Sequence, residues 1–239
     1  MQPTAPKRNK PCLVLLTDAW GPKYGGINSF NMDFAKALGL LLSATHQVIC
    51  VVLAATDDER ADALRKHVHL LCVGRSEKHG HFEAFRAAEV ITAVRAAAPD
   101  ASVLWWIGHD TFTDALALEL PKAAGEGQCA LINHMSYQDY VSYKDGVGAK
   151  AKTKVTRQRT MFTQADKVFA VGPILRSRLA DLLGKAPETV PMLVPGLAEI
   201  EPGLQPSQFT GITFGRLDPE NDRIKQGWLA AAAFASAYA

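Results

Sequence analysis

At 239 residues, with 48% apolar and 21% charged side chains, the chain has material for one large α/β domain, or for a domain and part of another. A formal net charge of +2 gives no electrostatic reason to expect nucleic acid as a partner. The size removes any need for disulfide or metal staples, and without a run of about 18 apolar residues no spanning helix is expected.

Residues 1–10 are polar and basic and read as a flexible leader without the apolar segment of a signal peptide. An apolar strand over 12–17 follows, and then a loop carrying the adjacent Gly25 and Gly26 at the mouth of a helix over 27–42. Glycines there let a ligand approach the backbone without Cβ interference. The unpaired N–H groups of the first helical turn suit a phosphate. Ile27, Phe30, Phe34, Leu38 and Leu41 recur at helical spacing and are expected to pin this helix to a sheet.

Further apolar runs over 48–54, 68–73, 102–107, 129–133, 167–171 and 190–194 have the length of buried strands. Helical patterns over 57–66, 82–98, 112–120, 151–164 and 173–183 lie between them, with Pro173 suited to a first helical turn and Gly184 to a helix stop. Such alternation predicts a parallel, Rossmann-like sheet with helices on both faces and right-handed crossovers. Trp105 and Trp106 fall within a strand and read as core. Cys12, Cys50, Cys72 and Cys129 stand singly in or beside apolar runs, as small buried hydrophobes in a reducing, cytoplasmic setting would.

In sheets of this kind ligands bind outside the carboxyl ends of the strands. Asp18, His109, Asp110, His134 and Gly172 all follow strands and would face one crevice. The stretch 135–152 brings Tyr137, Asp139, Tyr140, Tyr143, Lys144 and Asp145, with aromatic faces for a sugar ring and charges for a phosphate. The alternative is a surface loop whose tyrosines pack on the domain. Lys144, Lys150, Lys152, Lys154, Arg157 and Arg159 share a segment whose only acid is Asp145, and a solvated helix face is the simplest reading of it. No carboxylate pair has metal-ligand spacing, so no metal or other cofactor is required.

Around Pro195 the pattern breaks. Residues 196–209, rich in Pro and Gly, read as a linker that closes a domain over 11–195. A new strand and an apolar helix occupy 210–239, the start of a second α/β unit. With Trp228, Leu229, Phe234 and Tyr238 on that helix, the chain is expected either to self-associate through residues 211–238 or to leave them mobile.

Several of these segments, in order, resemble retaining glycosyltransferases of the GT-B fold, family 4 in particular. The Pro-Lys-Tyr-Gly-Gly-Ile loop (22–27) resembles their opening, Ile-Gly-His-Asp (107–110) their fourth-strand histidine motif, and His134 their active-site histidine. The run 162–171 resembles the Ala-Asp-x-Val segment that closes their first domain. The run 214–227, from Phe-Gly-Arg-Leu through Lys-Gln-Gly, resembles the Gly-Arg…Lys-Gly element opening their second.

The resemblance implies an acceptor-side first domain and a UDP-, GDP- or ADP-sugar as donor, with an acceptor hydroxyl of unknown identity. It implies Gly25 and Gly26 at the donor diphosphate, Arg216 and Lys225 neutralising that diphosphate from across the cleft, and His134 on the transferred sugar or acceptor hydroxyl. The family's Glu-x7-Glu element, which grips the donor, does not occur in these residues, so the chain alone is expected to turn over poorly. A ligand-sensing module of a larger protein is the alternative. A nicotinamide dehydrogenase is disfavoured, because Gly25-Gly26-Ile27-Asn28-Ser29 lacks the G-x-G-x-x-G spacing.

Overall fold

The computed structural model describes residues 10–74, 83–142 and 148–196, together with a few helical residues between 229 and 236. Seven strands form one parallel sheet: β1 (Cys12–Leu16), β2 (Gln47–Val52), β3 (Val68–Cys72), β4 (Val103–His109), β5 (Gln128–Asn133), β6 (Lys167–Val171) and β7 (Met192–Leu193). Their spatial order is β3-β2-β1-β4-β5-β6-β7. The direction of winding reverses between β1 and β4, which opens a crevice at their carboxyl ends. The helices are α1 (Gly26–Leu42), α2 (Asp57–Leu64), α3 (Ala87–Ala97), α4 (Asp110–Ala124), α5 (Tyr137–Ser142), α6 (Gly148–Gln164) and α7 (Gly172–Leu183). The predicted α/β, Rossmann-like class is the observed one.

Two apolar layers flank the sheet. On one face Val14, Leu16, Ile49, Val51 and Trp106 meet residues of α3, α4, α6 and α7, including Val90, Leu116, Phe162 and Leu179. On the other, Leu15, Val48, Cys50, Val52, Ile107 and Ile132 join Ala35 of α1 and Ala63 of α2. Beside α1 this second face leaves a groove of about 140 Å³ lined by Phe34, Leu38, Trp105, Ile107, Ile132 and Phe169, among others. No helix of the described residues is long and apolar enough to cross a membrane.

The rotation of α1 differs from the periodicity reading. Its buried residues are Asn31, Ala35 and Gly39, one side chain per turn and all small or polar, so the helix axis lies close to the sheet. Phe30, Phe34 and Leu38 flank that line half-buried, and Leu41 is 79% exposed. The sequence rule selects the largest apolar side chains. Close approach instead selected the smallest.

Other boundaries moved for identifiable reasons. β4 runs two residues beyond its expected end and takes His109 into the sheet, where it pairs in register with Ile132 of β5. α4 therefore starts at Asp110 rather than 112, and it continues through Pro121 to a left-handed Gly125. The helix expected over 82–98 opens as a 3-10 turn, Ala84–Arg86, because the Arg86 guanidinium reaches back to the carbonyls of Val73 (2.7 Å) and Gly74 (2.9 Å). Of the strand expected over 190–194 only Met192–Leu193 is strand. The 3-10 turn Pro187–Thr189 delivers Val190 into the core instead.

Part of the stretch read as an acceptor loop is helix: α5 and the first residues of α6 occupy it. Cys12, Cys50 and Cys129 are buried free thiols, whereas Cys72 is half-buried. Trp106 is core and donates its indole N–H to the Glu126 carbonyl (3.1 Å), while Trp105 lines the groove. Apart from Gly196 and the few helical residues between 229 and 236, the linker and the second unit, with Arg216 and Lys225, lie outside the described residues.

Gly108 sits where β4 crosses α4. A Cβ there would stand 2.7 Å from the Ala117 Cβ and 3.0 Å from Leu131 Cδ2. Gly108→Ala is therefore expected to destabilise the fold by about 1–3 kcal/mol, the range for overpacking a tight core, read as a lowered urea midpoint at unchanged slope.

Candidate functional site

The loop after β1 is built to present the start of α1. Gly25 adopts φ 106 and ψ 174, a conformation essentially reserved for glycine. Its own N–H is committed to the Pro22 carbonyl at 3.1 Å, which closes the 3-10 turn Pro22–Tyr24. Gly25 thus supplies the conformation of the loop. Gly26 supplies the first helical amide and open space, since a Cβ on it would meet nothing within 4 Å.

Asn28 fastens the loop to the strand. Its side-chain oxygen accepts from Thr17 Oγ1 (2.6 Å) and the Ala19 N–H (3.1 Å), and its amide donates to the Tyr24 carbonyl (3.0 Å). From the far side Glu59, in a reciprocal cap with Thr56, holds Lys23 (2.9 Å) and the Tyr24 hydroxyl (3.3 Å). Asp18 is half-buried at the end of β1, and its carbonyl receives the Leu53 N–H (3.1 Å).

His109 and His134 meet at the end of β4 and just past β5. Nδ1 of His109 lies 2.9 Å from Nε2 of His134, and Nε2 of His109 lies 2.7 Å from Oδ1 of Asn31 on α1. The Asn31 amide donates to Cys50 Sγ at 3.2 Å. The Phe30 ring stands edge-on to His134 with centroids 4.8 Å apart. Burial holds the His109 pKa well below its ordinary value, with His134 a secondary cause, and burial likewise pulls His134 down to about 4. Both imidazoles are neutral at pH 7.

Asp110 follows directly, at φ 44 and wholly buried. Oδ1 accepts from the Thr111 N–H (2.9 Å) and Gln158 Nε2 (3.2 Å), and Oδ2 from the His134 N–H (3.4 Å). Burial nonetheless outweighs these donors and pushes its pKa up to about 7. Gln158 also donates to the Met135 carbonyl (2.8 Å), so one amide of α6 ties α4 to the turn that carries His134.

The expected acceptor residues divide. Tyr137 is 5% exposed, with its hydroxyl 2.5 Å from Thr111 Oγ1 and its ring beneath the Lys154 ammonium. It braces the site and does not offer an open face to a sugar. Asp139 is paired with Arg178 of α7 at 2.8 Å. The side chain of Tyr140 and all of Lys144 lie outside the described residues.

The basic segment on α6 is not wholly a solvated face either. Arg157 reaches the buried Asp114 (2.9 Å) and Arg159 the Leu182 carbonyl (3.0 Å). Asn28, Asn31 and Gln158 were missed in the sequence. A lone amide on a helix carries no periodic or motif signal, and each acquires its role only through partners at least nine residues away in at least one of its contacts.

A family model described as "Family 4 Glycosyltransferase in conflict systems" matches residues 14–239. No curated protein matches. Among solved structures, a metagenomic short-chain oxidoreductase crystallised with NADP aligns at 14% identity and a TM-score of 0.34, covering 78% of this chain and 98% of its own. A likeness at that level says nothing of ligand or chemistry.

Opposed titrations give the site a pH signature. Asp110, raised in the folded state, contributes stability fully present below about 4 and lost as pH rises to about 7. His134 and His109, lowered in the folded state, contribute stability present above about 6.5 and lost as pH falls, through about 4 for His134. Between about pH 4.5 and 6.5 the two histidines outweigh the one acid, so stability rises with pH. Asp110→Asn suits the positive φ and removes the opposing titration. The pH dependence of urea unfolding is then expected to steepen roughly twofold across that interval.

Proposed function

Because the chain belongs to the family 4 glycosyltransferases of conflict systems, we propose that it forms the acceptor-side domain of a retaining transfer from a nucleotide sugar to an acceptor hydroxyl. The observation that carries this reading is the hydrogen-bonded His109–His134 pair at the carboxyl ends of β4 and β5. It stands in the same crevice as the glycine-led start of α1, with Phe30 of that helix against His134.

In such a transfer the bond from the anomeric carbon to the diphosphate breaks. Negative charge grows on the leaving group and positive charge on the carbon. The amides heading α1 from Gly26 onward, in a loop that Asn28 and Gly25 preorganise, suit the leaving diphosphate. Arg216 and Lys225 would complete its neutralisation, Arg in a bidentate fork and Lys as a point charge. His134, neutral at pH 7, acts as a hydrogen-bonding group towards a sugar or acceptor hydroxyl and not as a cation towards phosphate. UDP-, GDP- and ADP-sugars are the donor candidates. The free Cys12, Cys50, Cys72 and Cys129 suit a reducing compartment, and we assign the protein to the cytoplasm.

Two variants test the reading. Gly26→Val fills the open space at the helix start and is expected to abolish binding of the preferred nucleotide sugar, followed by calorimetry, while circular dichroism stays unchanged. His134→Ala is expected to lower transfer at least roughly a hundredfold, the scale for a positioned acid, base or orienting group. Equal affinity of Gly26→Val and the unaltered protein for every nucleotide sugar would sink the diphosphate role.

A further inference from the structure

The side chains of Cys50, Asn31, His109 and His134 form one unbranched hydrogen-bonded chain from the interior of β2 to the crevice, with links of 3.2, 2.7 and 2.9 Å. Each link constrains the next. A carbonyl oxygen only accepts, so the Asn31 oxygen requires a proton on Nε2 of His109. A neutral His109 then has a bare Nδ1, and this nitrogen requires a proton on Nε2 of His134. The same logic leaves Nδ1 of His134 bare. Reversing the amide would reverse every link and turn His134 Nδ1 into a donor.

We propose that Asn31 is a positioning residue which, through His109, locks His134 into the Nε2–H tautomer, so that the imidazole meets its ligand as a hydrogen-bond acceptor.

The arrangement around the chain favours this role. Asn31 and His109 are both fully buried, so neither has water to substitute for a lost partner. The Cys50 thiol, pushed up to about 12 by burial, stays protonated, and its sulfur is a constant if weak acceptor for the amide. Burial keeps both histidines neutral, which is the condition under which a tautomer is defined at all. The packing of Phe30 against His134 limits the ring flip that would carry Nε2 away from His109 and put Cε1 in its place. An acceptor nitrogen matches a ligand hydroxyl and mismatches a phosphate oxygen. The consequence for transfer rests on the glycosyltransferase reading above, but the tautomer itself does not.

Long-range ¹H–¹⁵N correlation spectra of the full chain labelled at histidine measure the tautomer directly. At pH 7 both His109 and His134 are expected to carry the proton on Nε2. A proton on Nδ1 of His134 in the unaltered protein overturns the proposal without any variant, and therefore whether or not a variant folds. In Asn31→Leu, His134 is expected to populate both tautomers, and His109→Phe should give the same mixture. An unchanged His134 pattern in a folded Asn31→Leu also overturns it.

Nucleotide-sugar affinity or transfer should fall roughly tenfold in either variant, the worth of one hydrogen bond. The double variant should lose no more than the singles, because both act through one link. Additive losses would mark independent structural damage and reject the relay. A tautomer released as expected, with no change towards any nucleotide sugar, upholds the relay and counts against the glycosyl-transfer reading instead.

Discussion

The contact between Asn31 and His109 is the constraint on which the site depends. A polar amide on the inner face of a helix packed against a sheet is costly unless both its ends are hydrogen-bonded. Here they are, to His109 on β4 and Cys50 on β2. Satisfying that amide fixes the rotation of α1, and with it where Gly26 and the loop ahead of it stand. It also sets the orientation of His109 at the point where the strand order reverses, and His109 in turn holds His134. The same side chain thus links the two halves of the sheet through its polar interior.

Around that contact the hydrogen-bonded groups are mostly neutral. Both imidazoles are held neutral by burial, and the carboxyl of Asp110 is raised despite three donors. Charged side chains nearby are paired, as in Lys23–Glu59 and the buried Asp114 with Arg157. Such a crevice is suited to a ligand that brings its own charge. On the glycosyl-transfer reading, backbone amides and neutral hydrogen-bonding groups would receive it without the reorganisation that a mobile cation needs. Around His134 the contacts are between neutral groups, whose strength depends on direction. Gln158, Thr111 and Tyr137 supply that direction from three other helices.

Much of this was legible in the sequence. Strand and helix alternate with clear periods, and parallel sheets put ligands at strand carboxyl ends. The positions of Gly25, His109, Asp110 and His134 relative to the sheet follow from chain order alone. The face of α1 was not legible in the same way. Phe30, Phe34 and Leu38 look like a core stripe by period, yet the buried line is Asn31, Ala35 and Gly39, because the distance between helix and sheet rewards small side chains. Nor does any pattern separate Tyr137, a buried brace, from a tyrosine presenting its ring to a ligand. Both read as an aromatic in a polar stretch.

What the sequence determined by itself is the class of fold, the order of its elements and the set of residues that could reach the crevice, since these depend on local period and on the handedness of connections. The tertiary structure decided which of them meet. That His109 touches Asn31 across 78 positions and His134 across 25, that burial leaves both neutral, and that Gly25 gives conformation while Gly26 gives space, are properties of close packing. Packing density and hydrogen-bond satisfaction act between segments distant in the chain, and no local pattern of residues encodes them.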